Sequence, residues 1–149
     1  MSKAEQSAVC ECGQVDYELK AQPLIRLYCH CTICQAFNQA PYADICIFKG
    51  RDVALPADEL VRYKAWQSPK IVQRGVCTSC EKPIVEQLTM PLMSGYVIAP
   101  THGLQNKTLI PEAALHMFYH SRVQDADDDL PKYSGYLKSQ LGLLRRLYF

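Results

Sequence analysis

Seven of the eight cysteines in this 149-residue chain fall into three short clusters. They are C-x-C at Cys10 and Cys12, C-H-C-x-x-C at Cys29, His30, Cys31 and Cys34, and C-x-x-C at Cys77 and Cys80. Nothing else in the sequence limits the fold as strongly, because thiols gathered this way either cross-link or grip an ion. In an extended chain residues i and i+2 share a face, so Cys10 with Cys12 and Cys29 with Cys31 can each approach one ion. A C-x-x-C at a tight turn brings both sulfurs to the tip, which fits Cys31 with Cys34 and Cys77 with Cys80. A lone C-x-x-C is shared with redox pairs, whereas three clusters at ligand spacing point to metal, and all-thiolate sets point to zinc.

The alternative to metal is a disulfide framework in a secreted domain. The opening stretch, MSKAEQSAVCECGQ, has no apolar run of signal-peptide length, and no window reaches the roughly 18 apolar residues of a spanning helix. The expectation is a cytoplasmic protein without a membrane span, in a compartment that keeps thiols reduced.

Seven thiolates do not make two complete tetrahedra. Four plus three gives one closed site, of the structural kind, and one site a ligand short, of the catalytic kind. The triplet Cys29, Cys31 and Cys34 is local enough to hold an ion alone, and the two remaining pairs would then meet across the fold, although spacing leaves the choice of partners open. A fourth ligand from His30, His102, His116 or His120 would make both sites structural. His30 itself faces away from the sulfurs if its segment is extended. Cys46, inside the apolar ADICIFKG, reads as a buried hydrophobe.

Around the clusters the chain reads as short strands. QVDYELK, ADICIFKG, ELVRYKAW, KIVQRGVC, PIVEQL and PLMSGYVIAP follow a two-residue period between turn residues, and LHMFYHSRV offers one more. CTICQAFN can form a short helix from within the cysteine cluster, a glycine turn is expected at His102–Leu104, and QDADDDLP is a solvated loop. The last segment, YLKSQLGLLRRLYF, sets Leu137, Leu141 and Leu144 at helical spacing, and its surface is expected to pack on the domain or on a second copy of the chain as a homo-oligomer contact. The length suits one core, giving a mainly β domain over residues 1–133 and an amphipathic helical extension over 134–149. A net charge of +1 with scattered basic residues speaks against a nucleic-acid partner.

The ordered motifs carry a resemblance. C-x-C-G-x-V-x-Y (Cys10 to Tyr17), Y-C-H-C-x-x-C (Tyr28 to Cys34), R-G-x-C-x-x-C-x-x-P-I (Arg74 to Ile84), H-x-F-Y-H-S-R (His116 to Arg122) and D-x-L-P (Asp128 to Pro131) together resemble the glutathione-dependent formaldehyde-activating enzymes, a family that includes centromere protein V. The likeness runs over residues 8–133. It implies small β-sheets leaning together around zinc, a β-tent, with Cys10, Cys12, Cys77 and Cys80 matching the structural zinc site and Cys29, Cys31 and Cys34 the catalytic one. It also implies two zinc ions per chain, a small-molecule thiol such as glutathione as partner, and a carbon–sulfur lyase that joins thiol and formaldehyde as S-hydroxymethylglutathione or cleaves that adduct. A zinc-stabilised binding module without catalysis is the reading from another class. Lys70, Arg74 and Arg122 are cations that glutathione carboxylates could meet, although each reads first as an ordinary solvated charge, and Trp66 reads as packing. The sequence names no proton donor. Glu81 departs from the family, which usually has glycine there, and the tail beyond about Ser134 has no family counterpart.

Overall fold

The computed structural model describes residues 5–66, 71–89 and 95–148. Lys70 and the start of PLMSGYVIAP lie outside the described residues. Among the described residues ten strands and two α-helices follow one another: β1 (Gln6–Val9), β2 (Asp16–Leu19), β3 (Ile25–Cys29), α1 (Thr32–Asn38), β4 (Ala43–Lys49), β5 (Val53–Ala54), β6 (Val61–Lys64), β7 (Val72–Cys77), β8 (Pro83–Leu88), β9 (Tyr96–Pro100), β10 (His116–Met117) and α2 (Tyr136–Tyr148). They form a three-stranded sheet, β1-β2-β5, and a seven-stranded sheet, β10-β3-β4-β9-β8-β7-β6, so the chain is mainly β with a short C-terminal helix. All pairings are antiparallel except β10 with β3.

Strand alternation builds two cores. Cys46 and Phe48 of β4 and Val97 and Ala99 of β9 turn to one face, where Ala8, Tyr17, Leu19 and Val53 of the small sheet cover them. Ile45 and Ile47 of β4 and Ile98 of β9 turn to the other, joining Leu27, Cys29, Leu88, Met117 and Leu143 of α2. Strand β4 therefore does not alternate between apolar and polar as its two-residue period suggests. Both faces of this central strand are covered, which is why ICIF is an unbroken apolar run. Cys46 is fully buried, as expected of an unligated core thiol.

Close packing explains Gly75. A Cβ there would lie 2.6 Å from Val61 Cγ1 and 2.9 Å from the Val85 carbonyl oxygen, so only glycine lets β6 and β8 sit this tightly against β7. Replacing Gly75 with alanine is expected to lower stability by about 1–3 kcal/mol, read from urea unfolding.

Two further expectations change. LHMFYHSRV is not a full strand: only His116 and Met117 pair with β3, Phe118 turns left-handed at φ 54°, and Tyr119–Ser121 coil into a 3-10 turn. Ser139 causes the break, since its Oγ accepts the Phe118 amide at 2.9 Å and draws the chain towards α2. The helix also packs on a different face from the one its leucine spacing suggests. Leu137 and Leu141 stay exposed, while Ser139, Gly142 and Leu143 are buried and Leu144 is partly so. Small residues win because they admit close approach; a Cβ on Gly142 would lie 2.7 Å from the Tyr133 ring.

Candidate metal centres and the adjoining cavity

The first motif is a turn that presents sulfurs. The Gly13 amide donates to the Cys10 carbonyl at 3.0 Å, with Gly13 at φ 81°, and the Cys10 amide closes the loop on the Val15 carbonyl. Tyr17 then pins this turn against the second one, its buried hydroxyl donating to the Ile84 carbonyl at 2.8 Å. Opposite it, the turn after β7 is closed by the Glu81 amide on the Cys77 carbonyl at 2.9 Å. The outcome is one group of Cys10, Cys12, Cys77 and Cys80, whose sulfurs all lie within 4.8 Å of one another. Cys10 to Cys12 is 3.5 Å and Cys12 to Cys77 is 3.6 Å. A tetrahedron of sulfurs 2.3 Å from a zinc ion has edges of about 3.8 Å, so the spacing suits that ion.

Backbone amides point at two of these sulfurs. Val15 N–H donates to Cys10 Sγ at 3.2 Å and Ser79 N–H to Cys77 Sγ at 3.3 Å. The Gln14 amide, assisted by the neighbouring thiols, lowers Cys12 to about 6. Burial acts the other way on Cys77, raising it to about 11. A cation among the four sulfurs offsets that burial cost.

Glu81 adopts the left-handed conformation that glycine would supply, at φ 58°. Its carboxylate meets Arg62 at 3.0 Å, but both side chains are exposed and such pairs contribute little. Changing Glu81 to glycine should raise stability by about 1 kcal/mol, seen as a Tm about 2–4 °C higher in the zinc-loaded protein.

Across the large sheet, Cys29, Cys31 and Cys34 form a second group. Cys29 ends β3 on its inward face, and Cys31 caps α1, its sulfur accepting the Cys34 amide at 3.2 Å. The helix start thereby brings Cys34 back to Cys29, Sγ to Sγ at 3.4 Å. Hydrogen bonds from Cys29 and then Cys34 hold Cys31 down at about 3, while the same bonds push Cys29 and Cys34 up. The three thiols therefore titrate as one unit, with the first negative charge on Cys31. Among the described residues no histidine joins this group: His30, His102, His116 and His120 all stand outside it.

His30 faces away from the sulfurs, as strand alternation requires. Its Nε2 lies 2.8 Å from His116 Nδ1, and His116 Nε2 lies 2.8 Å from Asp128 Oδ2. Burial, reinforced by His116, lowers His30 to about 4 and keeps it neutral at pH 7. Asp128 is held at about 2, by Lys132 first and His116 after it. This chain of three residues ties the loop after Arg122 to the far side of β3. The acidic run reads from sequence as a solvated loop; only pairing with His116, more than ten residues away, reveals that Asp128 is an anchor.

A cavity of about 310 Å³ opens beside the triplet. Cys29, Cys31 and Cys34 line it, and exposed Thr32, His120 and Tyr136 mark the mouth. Its one cation among the described lining residues is Arg74, which is ion-paired with Glu86 and donates to Cys34 Sγ at 3.7 Å. Arg74 is therefore engaged inside the protein rather than free for a carboxylate. Burial pushes the Glu86 carboxyl up against the pull of Arg74. Arg74→Ala leaves that carboxyl buried and alone, and should cost about 3–5 kcal/mol. Pairing it with Glu86→Leu should recover much of the loss in the same denaturant measurement. Arg122, the other cation considered, stacks over the Tyr119 ring at 4.4 Å and pairs with Asp125, outside this cavity. Trp66 packs edge-on against Phe37, 5.6 Å between ring centres. No helix among the described residues is long and apolar enough to cross a membrane.

Comparison with known proteins agrees with this architecture. A crystal structure of a Rhodobacter sphaeroides protein superposes with a TM-score of 0.53 at 15% identity, covering 72% of this chain and 96% of that one, which speaks to the fold alone. No curated protein matches in sequence. The family model described as glutathione-dependent formaldehyde-activating enzyme matches residues 5–121, a span that holds both cysteine groups and the motifs around them. The chain belongs to the family of glutathione-dependent formaldehyde-activating enzymes.

Proposed function

We propose that this protein is a zinc-dependent carbon–sulfur lyase that makes and breaks the bond between a thiol sulfur and an aldehyde carbon, as in S-hydroxymethylglutathione. Cys10, Cys12, Cys77 and Cys80 are its structural zinc ligands, and Cys29, Cys31 and Cys34 its catalytic ones. The observation that carries this reading is the asymmetry of the two groups. Four sulfurs close one of them, whereas the other has three and borders a cavity. Zinc held by three thiolates supplies a fourth position that favours a substrate sulfur as thiolate, below the free-thiol pKa of about 8.5.

The chain's own residues supply the rest. Arg74, donating to Cys34 Sγ, positions that sulfur, and Glu86 holds Arg74 in place. At the mouth, His120 Nδ1 accepts the Gly135 amide at 2.7 Å, which leaves the ring proton on Nε2. That N–H hydrogen-bonds the oxygen as charge builds on it during carbon–sulfur bond formation, and water at the open mouth gives the alkoxide its proton. In cleavage the adduct hydroxyl returns that proton to water, the carbonyl forms, and the carbon–sulfur electron pair returns to sulfur. Thiols that must stay reduced suit a cytoplasmic setting.

The test is direct. Zinc-loaded protein mixed with formaldehyde and a thiol should bring the hemithioacetal to equilibrium faster than buffer with the same zinc, followed by exchange NMR. Uncatalysed rates at every protein concentration would favour the binding module instead.

A further inference from the structure

The cavity beside the triplet is built for a different chemistry from that of a charged tripeptide. Beyond the sulfurs its wall is made by Ile45, Ile47, Leu88, Ile98, Met117 and Leu143. The sheet supplies most of it through strand alternation, because every second side chain of β4 and β9 turns to this face. Helix α2 adds Tyr136, Gln140 and Leu143, and these lie beyond the residues 5–121 matched by the family model. The wall is therefore partly made by a segment outside the family match.

Charge points the same way. Arg74 and Glu86 are the charged side chains among the described lining residues, apart from the thiols and His120 at the mouth, and they neutralise each other. Glutathione carries two carboxylates and an ammonium group, and a carboxylate taken into an apolar cavity without a partner is strongly disfavoured. The volume, about 310 Å³, is at the lower end for sites that enclose small organic ligands.

Resting on the lyase reading above, we infer that the thiol half of the substrate is apolar: an alkyl or aryl thiol whose adduct with an aldehyde places sulfur at the triplet and its hydrocarbon group between the sheet and α2. Helix α2 is then a specificity element. Its residues set which hydrocarbon fits, while the sulfur end stays common to any thiol.

The experiment uses the full chain with cobalt(II) in place of zinc, whose sulfur-to-metal absorption reports a fourth sulfur without any turnover. Ethanethiol, butanethiol, hexanethiol and glutathione are titrated separately. The expected result is a Kd that falls about fourfold for each added methylene, with glutathione at least tenfold weaker than hexanethiol. Gln140→Glu, a half-buried wall position that can carry charge without unfolding the helix, should weaken hexanethiol about tenfold and leave ethanethiol unchanged. A series without chain-length dependence, or glutathione binding as tightly as hexanethiol, overturns the apolar substrate and leaves the lyase reading standing. If no thiol alters the cobalt spectrum, both fall together.

Discussion

Cys77→Ala is expected to leave the chain without a stable fold. The side chain is fully buried at the end of β7, within the core between the two sheets, and its sulfur lies 3.6 Å from Cys12 on the turn after β1. The small sheet has only three strands, one of them two residues long, and too little apolar surface of its own to hold that turn in place. Metal held at this junction would supply the difference. Structural zinc contributes on the order of 10 kcal/mol, against the 5–15 kcal/mol of a whole domain, so losing a ligand here threatens all of it. Circular dichroism and thermal unfolding in the presence of zinc should show a lost or severely weakened transition. Cys46→Ala is the control, a thiol equally buried but in neither group, and it should keep its zinc and unfold cooperatively. A cooperative, near-native transition for Cys77→Ala would mean that the four sulfurs do not hold the sheets together.

Cys34→Ala should act on chemistry and spare the fold. With one of three ligands gone the triplet no longer binds its ion, while the four-cysteine group across the sheet is untouched. Zinc content should drop by one ion per chain. Thiol–aldehyde turnover should fall at least a thousandfold, about 4 kcal/mol in the barrier. The substitution trades a buried thiol for a methyl group, so unfolding should stay cooperative with a loss of about 1–2 kcal/mol. Unchanged zinc content together with unchanged turnover would remove the triplet from the mechanism.

The site was more legible in the sequence than the body of the fold, for a physical reason. Metal ligands are local: C-x-C in an extended segment and C-x-x-C at a turn carry their geometry within a few residues, and the four-plus-three division follows from counting. Which pairs combine across the fold came from the family resemblance, because Cys12 and Cys77 are 65 residues apart and nothing local links them. The same distance hid the supports. Arg74 reads as a solvated charge that a substrate carboxylate could meet, yet it serves a carboxyl twelve residues on, inside a hairpin whose register sequence does not give. His116 and Asp128 likewise stand in quoted motifs, but their role appears only when β10 pairs in parallel with β3. Helix α2 is legible as a helix, but its leucine spacing points to the wrong packing face. Periodicity weighs leucines, whereas the contact rests on Ser139 and Gly142, whose value lies in closeness and a hydrogen bond.

The central claim is that reduced sulfurs hold two ions, one enclosed by four of them and the other by three. Zinc analysis combined with X-ray absorption at the zinc edge tests this most directly, on protein purified under reducing conditions and free of added thiol. The expected result is two zinc ions per chain with an average of about 3.5 sulfurs per ion at about 2.3 Å, the average rising towards four when a thiol is added. Zinc-free protein with its cysteines bridged to one another, or a single ion unaffected by thiol, would contradict it.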